Sequence, residues 1–197
     1  MDITKVKIFN ITLNILGIST PIENVNLNDN KAIILNNYYE LARDYVLKDF
    51  DWNFASCFKT LSLRNIENQI GNFSYCYDYP NDCICARDIF EKGSYRLEKY
   101  QIAALEDGTS VILTNAKNAV LRYTKRVEKE IFFNVEFSMA LAYYLATITS
   151  NVLVGNLQKG ESAYQKYVKI LSRAKVLNAQ EGADILYDEE TYLSSRS

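Results

Sequence analysis

The hydrophobic periodicity of this chain changes twice, and those changes limit its folds more than any single motif. Apolar residues recur at three- and four-residue spacing at the N-terminal end, alternate at period two through part of the middle, and return to helical spacing after Asn134. A pattern of that order predicts helix-helix, then a β segment, then helix-helix. At 197 residues the chain is long enough to bury one sizeable core.

From Ile3 to Leu16, Val6, Phe9, Leu13 and Leu16 form a helical stripe that Ile8, Ile11 and Ile15 widen, so this helix is expected to be covered on two sides. Asp2 is placed to cap its start, and Gly17 to close its end in the left-handed conformation. A polar loop from Thr20-Pro21 to Asp29 precedes a second predicted helix, about Asn30 to Asp49. Its expected inner face is Ile34, Tyr38, Leu41, Ala42 and Tyr45, with Glu40, Arg43, Asp44 and Lys48 outside. Trp52 and Phe54 follow, placed to plug the end of a helical bundle.

Phe73, Tyr75, Tyr77 and Tyr79 alternate strictly, a strand signal that Pro80 stops because proline has no N–H for a ladder. Asp82 is placed to cap a short helical turn through Ala86 to Phe90. Three further strands are expected at Tyr95–Ala104, Ser110–Thr114 and Val120–Arg126, with Asp107-Gly108 as the hairpin turn. Asn134 then caps a helix from Val135 to Val154, whose seam is Phe137, Leu141, Leu145, Ile148 and Val152. Ser138, Ala142 and Ala146 form a second, small-residue face for close helix packing or a subunit interface. A last helix, roughly Glu161 to Gln180, presents Ala163, Tyr167, Ile170, Ala174 and Leu177, and Gly182 is placed to end it. The expected architecture is therefore α+β: a four-helix bundle from residues 1–54 and 130–182, an inserted small antiparallel β subdomain at 55–129, and an extended C-terminal tail at 183–197.

Composition removes several function classes. With 22 basic and 24 acidic residues the formal charge is -2, so the chain lacks the basic stripe that a dedicated nucleic-acid binder uses to displace counterions. The mixed cluster Lys125, Arg126, Glu128, Lys129 and Glu130 reads as a solvated turn. No apolar run approaches 18 residues, which argues against a membrane span, and the first residues lack the layout of a signal peptide; production in a cytosol is expected. There is no histidine, the commonest general base and metal ligand. Tyrosine, by contrast, occurs 15 times, and its apolar body with one polar tip suits surfaces buried against partners as well as cores.

Chemistry-bearing constellations are weak. Of Cys57, Cys76, Cys83 and Cys85 only the last two are close, and on a helical turn they would point about 200° apart, which opposes a zinc site. Free thiols are the expected state. Asp78, Asp82, Glu106 and Asp107 sit at turn-like positions that favour aspartate for local hydrogen bonding. No phosphate-binding glycine loop or nucleophile elbow is present. No catalytic, cofactor-binding or metal-ligating set is expected. A competing reading is a small intracellular ligand-binding or enzymatic α+β domain with a pocket around Tyr77, Tyr79 and Asp82. Another is a DNA-associated regulator, which would bind duplex salt-sensitively.

Several separated elements share an order with one family. Asn14-Ile15-Leu16-Gly17 with Pro21, Trp52-x-Phe54-Ala55, the run Tyr77-x-Tyr79-Pro80-x-Asp82-Cys83, Tyr123, the helix Phe137 to Ala146 and the closing Ala174 to Glu181 resemble tail tubular protein A-like head-to-tail adaptors of short-tailed phages. The resemblance runs from about Ile11 to Glu181. It implies a non-enzymatic virion protein at the head-tail junction, made in the host cytoplasm. A dodecameric ring would attach below the portal protein, extend the DNA channel and offer a platform to downstream tail or ring proteins. DNA would pass through it without sequence-specific contact. On this reading Trp52 and Phe54 are the bundle anchor and Ile185, Leu186, Tyr187, Tyr192 and Leu193 are candidates for docking the tail onto the portal. The chain departs from the family in its short β insert and its lack of histidine.

Overall fold

The computed structural model describes residues 3–25, 29–65, 71–94 and 96–194, with side chains up to residue 178. Among those residues it is an α+β fold of four helices and two antiparallel sheets. The chain divides into two compact units, residues 1–54 with 127–197 and residues 55–126.

The first unit contains α1 (Lys5–Ile15), α2 (Asn30–Asp49), α3 (Val135–Val154) and α4 (Leu157–Ser194). Among the described residues α1 is capped by Thr4, whose Oγ1 accepts from the Lys7 N–H at 3.3 Å; the predicted cap, Asp2, lies outside them. Gly17 has φ 77°, and the Gly17 and Ile18 amides donate back to the Asn14 and Leu13 carbonyls, so the helix ends in a left-handed turn. Asn134 caps α3 through Phe137 N–H at 2.8 Å, and Gly155 closes it with φ 61°.

Helix α3 packs against each of the other three helices. Phe137, Leu141 and Leu145 of its expected seam are fully buried, whereas Ile148 is half-buried and Val152 is exposed. The expectation of no membrane-length apolar segment needs correction here. As a continuous helix α3 is long and apolar enough to span a bilayer, with mean hydropathy 1.4 in its best window. Interspersed Ser, Thr and Asn hid this from a search for an unbroken apolar run. In the fold that apolarity is what three neighbouring helices cover.

Two corrections concern helix faces and ends. The buried residues of α2 are Ala32, Leu35, Tyr39, Ala42, Arg43, Val46 and Leu47, so the inner face is rotated about one position from the expected one. Leu41 and Tyr45 face outward, and Arg43 is buried with its guanidinium on Asp44 Oδ1 at 2.9 Å. The second correction is that residues 183–194 are not an extended tail. Helix α4 continues through Gly182 to Ser194, because a lone helical glycine costs only about 1 kcal/mol relative to alanine and no proline follows to end the helix.

Among the described residues the second unit holds seven strands: β1 (Ser56–Thr60), β2 (Tyr75–Asp78), β3 (Cys83–Glu91), β4 (Leu97–Glu98), β5 (Tyr100–Ala104), β6 (Ser110–Thr114) and β7 (Ala119–Lys125). One sheet has the order β1-β7-β3-β4 and the other β2-β6-β5, and every pairing is antiparallel. The two sheets share an apolar core in which Ile89, Leu121 and Tyr123 of the first meet Tyr77 and Ile112 of the second. The hairpin at Asp107-Gly108 is as expected, with Gly108 at φ 80° and Ala104 opposite Ser110. The predicted helical turn at Ala86–Phe90 is instead the middle of β3, paired with β7 from Cys83 to Glu91. Tertiary pairing overrides the weak local helix preference of that stretch.

Candidate functional site

The polar residues of the β unit pair among themselves. Tyr77 is buried and its hydroxyl donates to the Ala116 carbonyl at 2.9 Å, so it holds two sheets' ends together rather than lining an opening. The Cys83 thiol donates to Tyr79 Oη at 3.2 Å, and Tyr123 Oη donates to Asp82 Oδ1 at 3.1 Å. Lys125 Nζ also approaches Asp82, at 3.9 Å. Arg64 Nε donates to Asp78 Oδ1 at 2.9 Å beside a shallow depression of about 330 Å³. Tyr79 lines that depression together with Pro80 and Asn81, whereas Tyr77 and Asp82 do not. Cys83 and Cys85 lie on strand β3, not on a helical turn, with a register shift between them. All four cysteines are free, and among the described residues no group of three metal-binding side chains is assembled.

Burial pushes the Cys83 thiol up to about 11, with nearby Cys85 and Asp82 adding to the shift. Tyr79 and Tyr123 are raised as well, chiefly by burial. Cys83 therefore keeps its proton at neutral pH and is a poor nucleophile. The thiol's folded value lies above its ordinary 9.0, so its neutral form contributes stability fully below pH 9, and this is lost as pH rises through 11. We expect urea unfolding to show wild type losing about 1 kcal/mol or less more than Cys83→Ala between pH 8 and pH 10, after allowance for solvent screening. Parallel stability curves for the two proteins would refute the assignment.

In the helical unit, Trp52 is enclosed: its indole Nε1 donates to the Val46 carbonyl at 2.8 Å and its ring packs edge-on to Phe137 at 5.2 Å. Phe54 is half-buried, 5.2 Å from Phe137 and 6.1 Å from Phe133. The small-residue face of α3 is buried within the subunit. The Ala142 carbonyl accepts from Thr12 Oγ1 at 3.2 Å, Ala146 packs with Leu16 and Ala163, and Ser138 bonds back to the Asn134 carbonyl at 2.8 Å. Ala142 and Ala146 therefore lie in contacts between helices, and Ser138 is buried with its hydroxyl on its own helix. The backbone carrying Ile185, Leu186, Tyr187, Tyr192 and Leu193 is helical.

What the sequence reading missed is the outer surface of α3 and α4. A groove of about 490 Å³ runs between them, lined by Val135, Glu136, Met139, Tyr143, Lys166, Lys169, Ile170 and Arg173. Its floor is apolar, and one rim carries three cations at helical positions i, i+3 and i+7. Lys166 Nζ sits 5.9 Å from the Tyr143 ring centre, and none of the three cations pairs with a carboxylate among the described residues. Around the helical unit Leu41, Ile131, Phe132, Val135 and Leu157 are each at least 62% exposed. The spacing of Lys166, Lys169 and Arg173 was readable; their apolar neighbours come from α3, more than twenty residues earlier, and were not. The sequence matches no protein-family model, and no curated protein matches it.

Proposed function

We propose that this protein is a structural virion component, the head-to-tail adaptor ring that attaches below a phage portal, extends the DNA channel and presents a platform to tail components. On this reading the four helices form a bundle around α3 and the β unit is an inserted module. The observation that carries the proposal is the order of elements, two helices, seven strands, two helices, around the sequence elements Trp52-x-Phe54-Ala55 and Tyr77-x-Tyr79-Pro80-x-Asp82. Exposed apolar side chains on the helical unit support it, since a ring subunit needs two unlike faces for its neighbours. The near-neutral charge of -2 suits a channel wall along which a duplex slides without being held.

The β unit supports a packing role for the tyrosines of the central run. Tyr77 and Tyr123 donate to a carbonyl and a carboxylate of the same unit, and Tyr79 accepts from one of its thiols. The test is immunogold labelling of purified virions with an antibody to this chain. Gold confined to the head-tail junction is the expected result. Virions free of gold overturn the proposal.

A further inference from the structure

We infer that the groove between α3 and α4 receives the acidic C-terminal part of α4 from a second copy of this chain, giving a head-to-tail contact. The groove combines an apolar floor, Met139, Tyr143 and Ile170, with the cations Lys166, Lys169 and Arg173. The complementary composition lies in the same chain. From Ala183 to Leu193 the sequence carries Asp184, Asp188, Glu189 and Glu190, no basic residue, and Ile185, Leu186, Tyr187, Tyr192 and Leu193. Four acidic groups among large apolar ones match a basic-rimmed apolar groove in both charge and hydrophobicity.

Lengths agree. Lys166 to Arg173 covers roughly 10 Å of helix axis, and so does Asp184 to Glu190, at about 1.5 Å per residue. The donor has to be another molecule. Helix α4 is continuous from Leu157 to Ser194, so its acidic part lies roughly 16 Å or more beyond Arg173 along one axis and cannot turn back on its own groove. Groove and arm are different surfaces, so the contact is heterologous: each copy gives an arm and takes one, and repetition closes a ring or extends a filament. Screening should weaken it, because it pairs opposite charges and Lys166, Lys169 and Arg173 are exposed.

The inference stands apart from the viral assignment and is tested on full-length chains by sedimentation velocity. Wild type is expected to self-associate at micromolar concentration, with the dissociation constant rising on the order of tenfold from low salt to half-molar sodium chloride. The groove variant Lys166→Glu/Lys169→Glu/Arg173→Glu and the arm variant Asp184→Lys/Asp188→Lys/Glu189→Lys/Glu190→Lys should each sediment as monomers with unchanged circular dichroism. Mixed one to one they should assemble again, because each reversed groove now meets a reversed arm. Wild type that stays monomeric overturns the inference, as does either variant that associates like wild type. Should either variant misfold, the salt dependence of wild type decides: salt-independent association overturns the contact. A wild-type monomer that binds only a portal ring would place the arm on the portal and leave the adaptor reading standing. Self-association with no gold on virions would do the reverse.

Discussion

Trp52→Ala is expected to destabilise the helical unit by about 3–5 kcal/mol, the range for deleting a large buried aromatic. Trp52 is only 1% exposed and stands between Phe50, 4.8 Å from its ring centre, and Phe137 of α3, at 5.2 Å. Alanine leaves most of that volume empty. A second effect adds to the cavity. Val46 lies in the last turn of α2, where carbonyls lack partners within the helix, and the indole N–H supplies one at 2.8 Å. Trp52→Phe keeps most of the packing and forfeits the hydrogen bond, so its cost should be smaller, about 1–3 kcal/mol. Typical domains are stable by only about 5–15 kcal/mol, so the alanine variant approaches unfolding. Urea titration followed by circular dichroism at helical wavelengths is the measurement, since the substitution removes the chain's single tryptophan. A loss below about 1 kcal/mol would show that the site collapses around the gap and that Trp52 is no anchor.

The importance of Trp52 was legible before the fold was known, and the reason is local. An aromatic directly after a long amphipathic stretch has few places to go but the end of the packed helices. The same holds for Asn134 capping α3, for Gly17 closing α1, and for Asp107-Gly108 turning β5 into β6. Each depends on residues within one or two turns of itself. Faces and pairings depend on distant partners. Apolar residues are spread around α2, so choosing Leu41 over Leu35 for the core needed knowledge of where α3 lies. Burial of Arg43 was hidden for the same reason, although Asp44 beside it was visible.

Strand β3 shows the same limit from the other side. Cys83 to Glu91 has no clean alternation, and its strand state follows from pairing with β7, some thirty residues later. The groove on α3 and α4 was half legible. Its cations repeat at helical spacing within one helix, but Tyr143 and Met139 come from another. Likewise the C-terminal stretch was read as an extended tail, and its continuation of α4 was not foreseen. A glycine at 182 looked sufficient to stop a helix, and without a proline or a capping turn after it, the backbone hydrogen bonds carry through.

Gly160→Ala is expected to cost about 1–3 kcal/mol, the opposite of what helix propensity alone says. Gly160 lies within α4 with no left-handed requirement, so alanine should favour the helix by about 1 kcal/mol. Space decides the sign. A Cβ at Gly160 would fall on Ser150 Oγ and come within 2.9 Å of the Thr147 carbonyl oxygen, both on α3. The serine hydroxyl can rotate away. The carbonyl cannot, because it is main chain of a helix packed on three sides. Relief therefore requires α3 and α4 to separate, which also opens the contact of Ala146 with Ala163 and Leu16. Ser150→Ala combined with Gly160→Ala should recover part of the loss, since it removes the hydroxyl and leaves the carbonyl clash in place. Thermal unfolding of the single and double variants measures both values. A Gly160→Ala protein as stable as wild type would mean that the two helices slide apart without penalty. Their spacing would then be too soft to hold Tyr143 and Lys166 at a fixed separation across the groove they line.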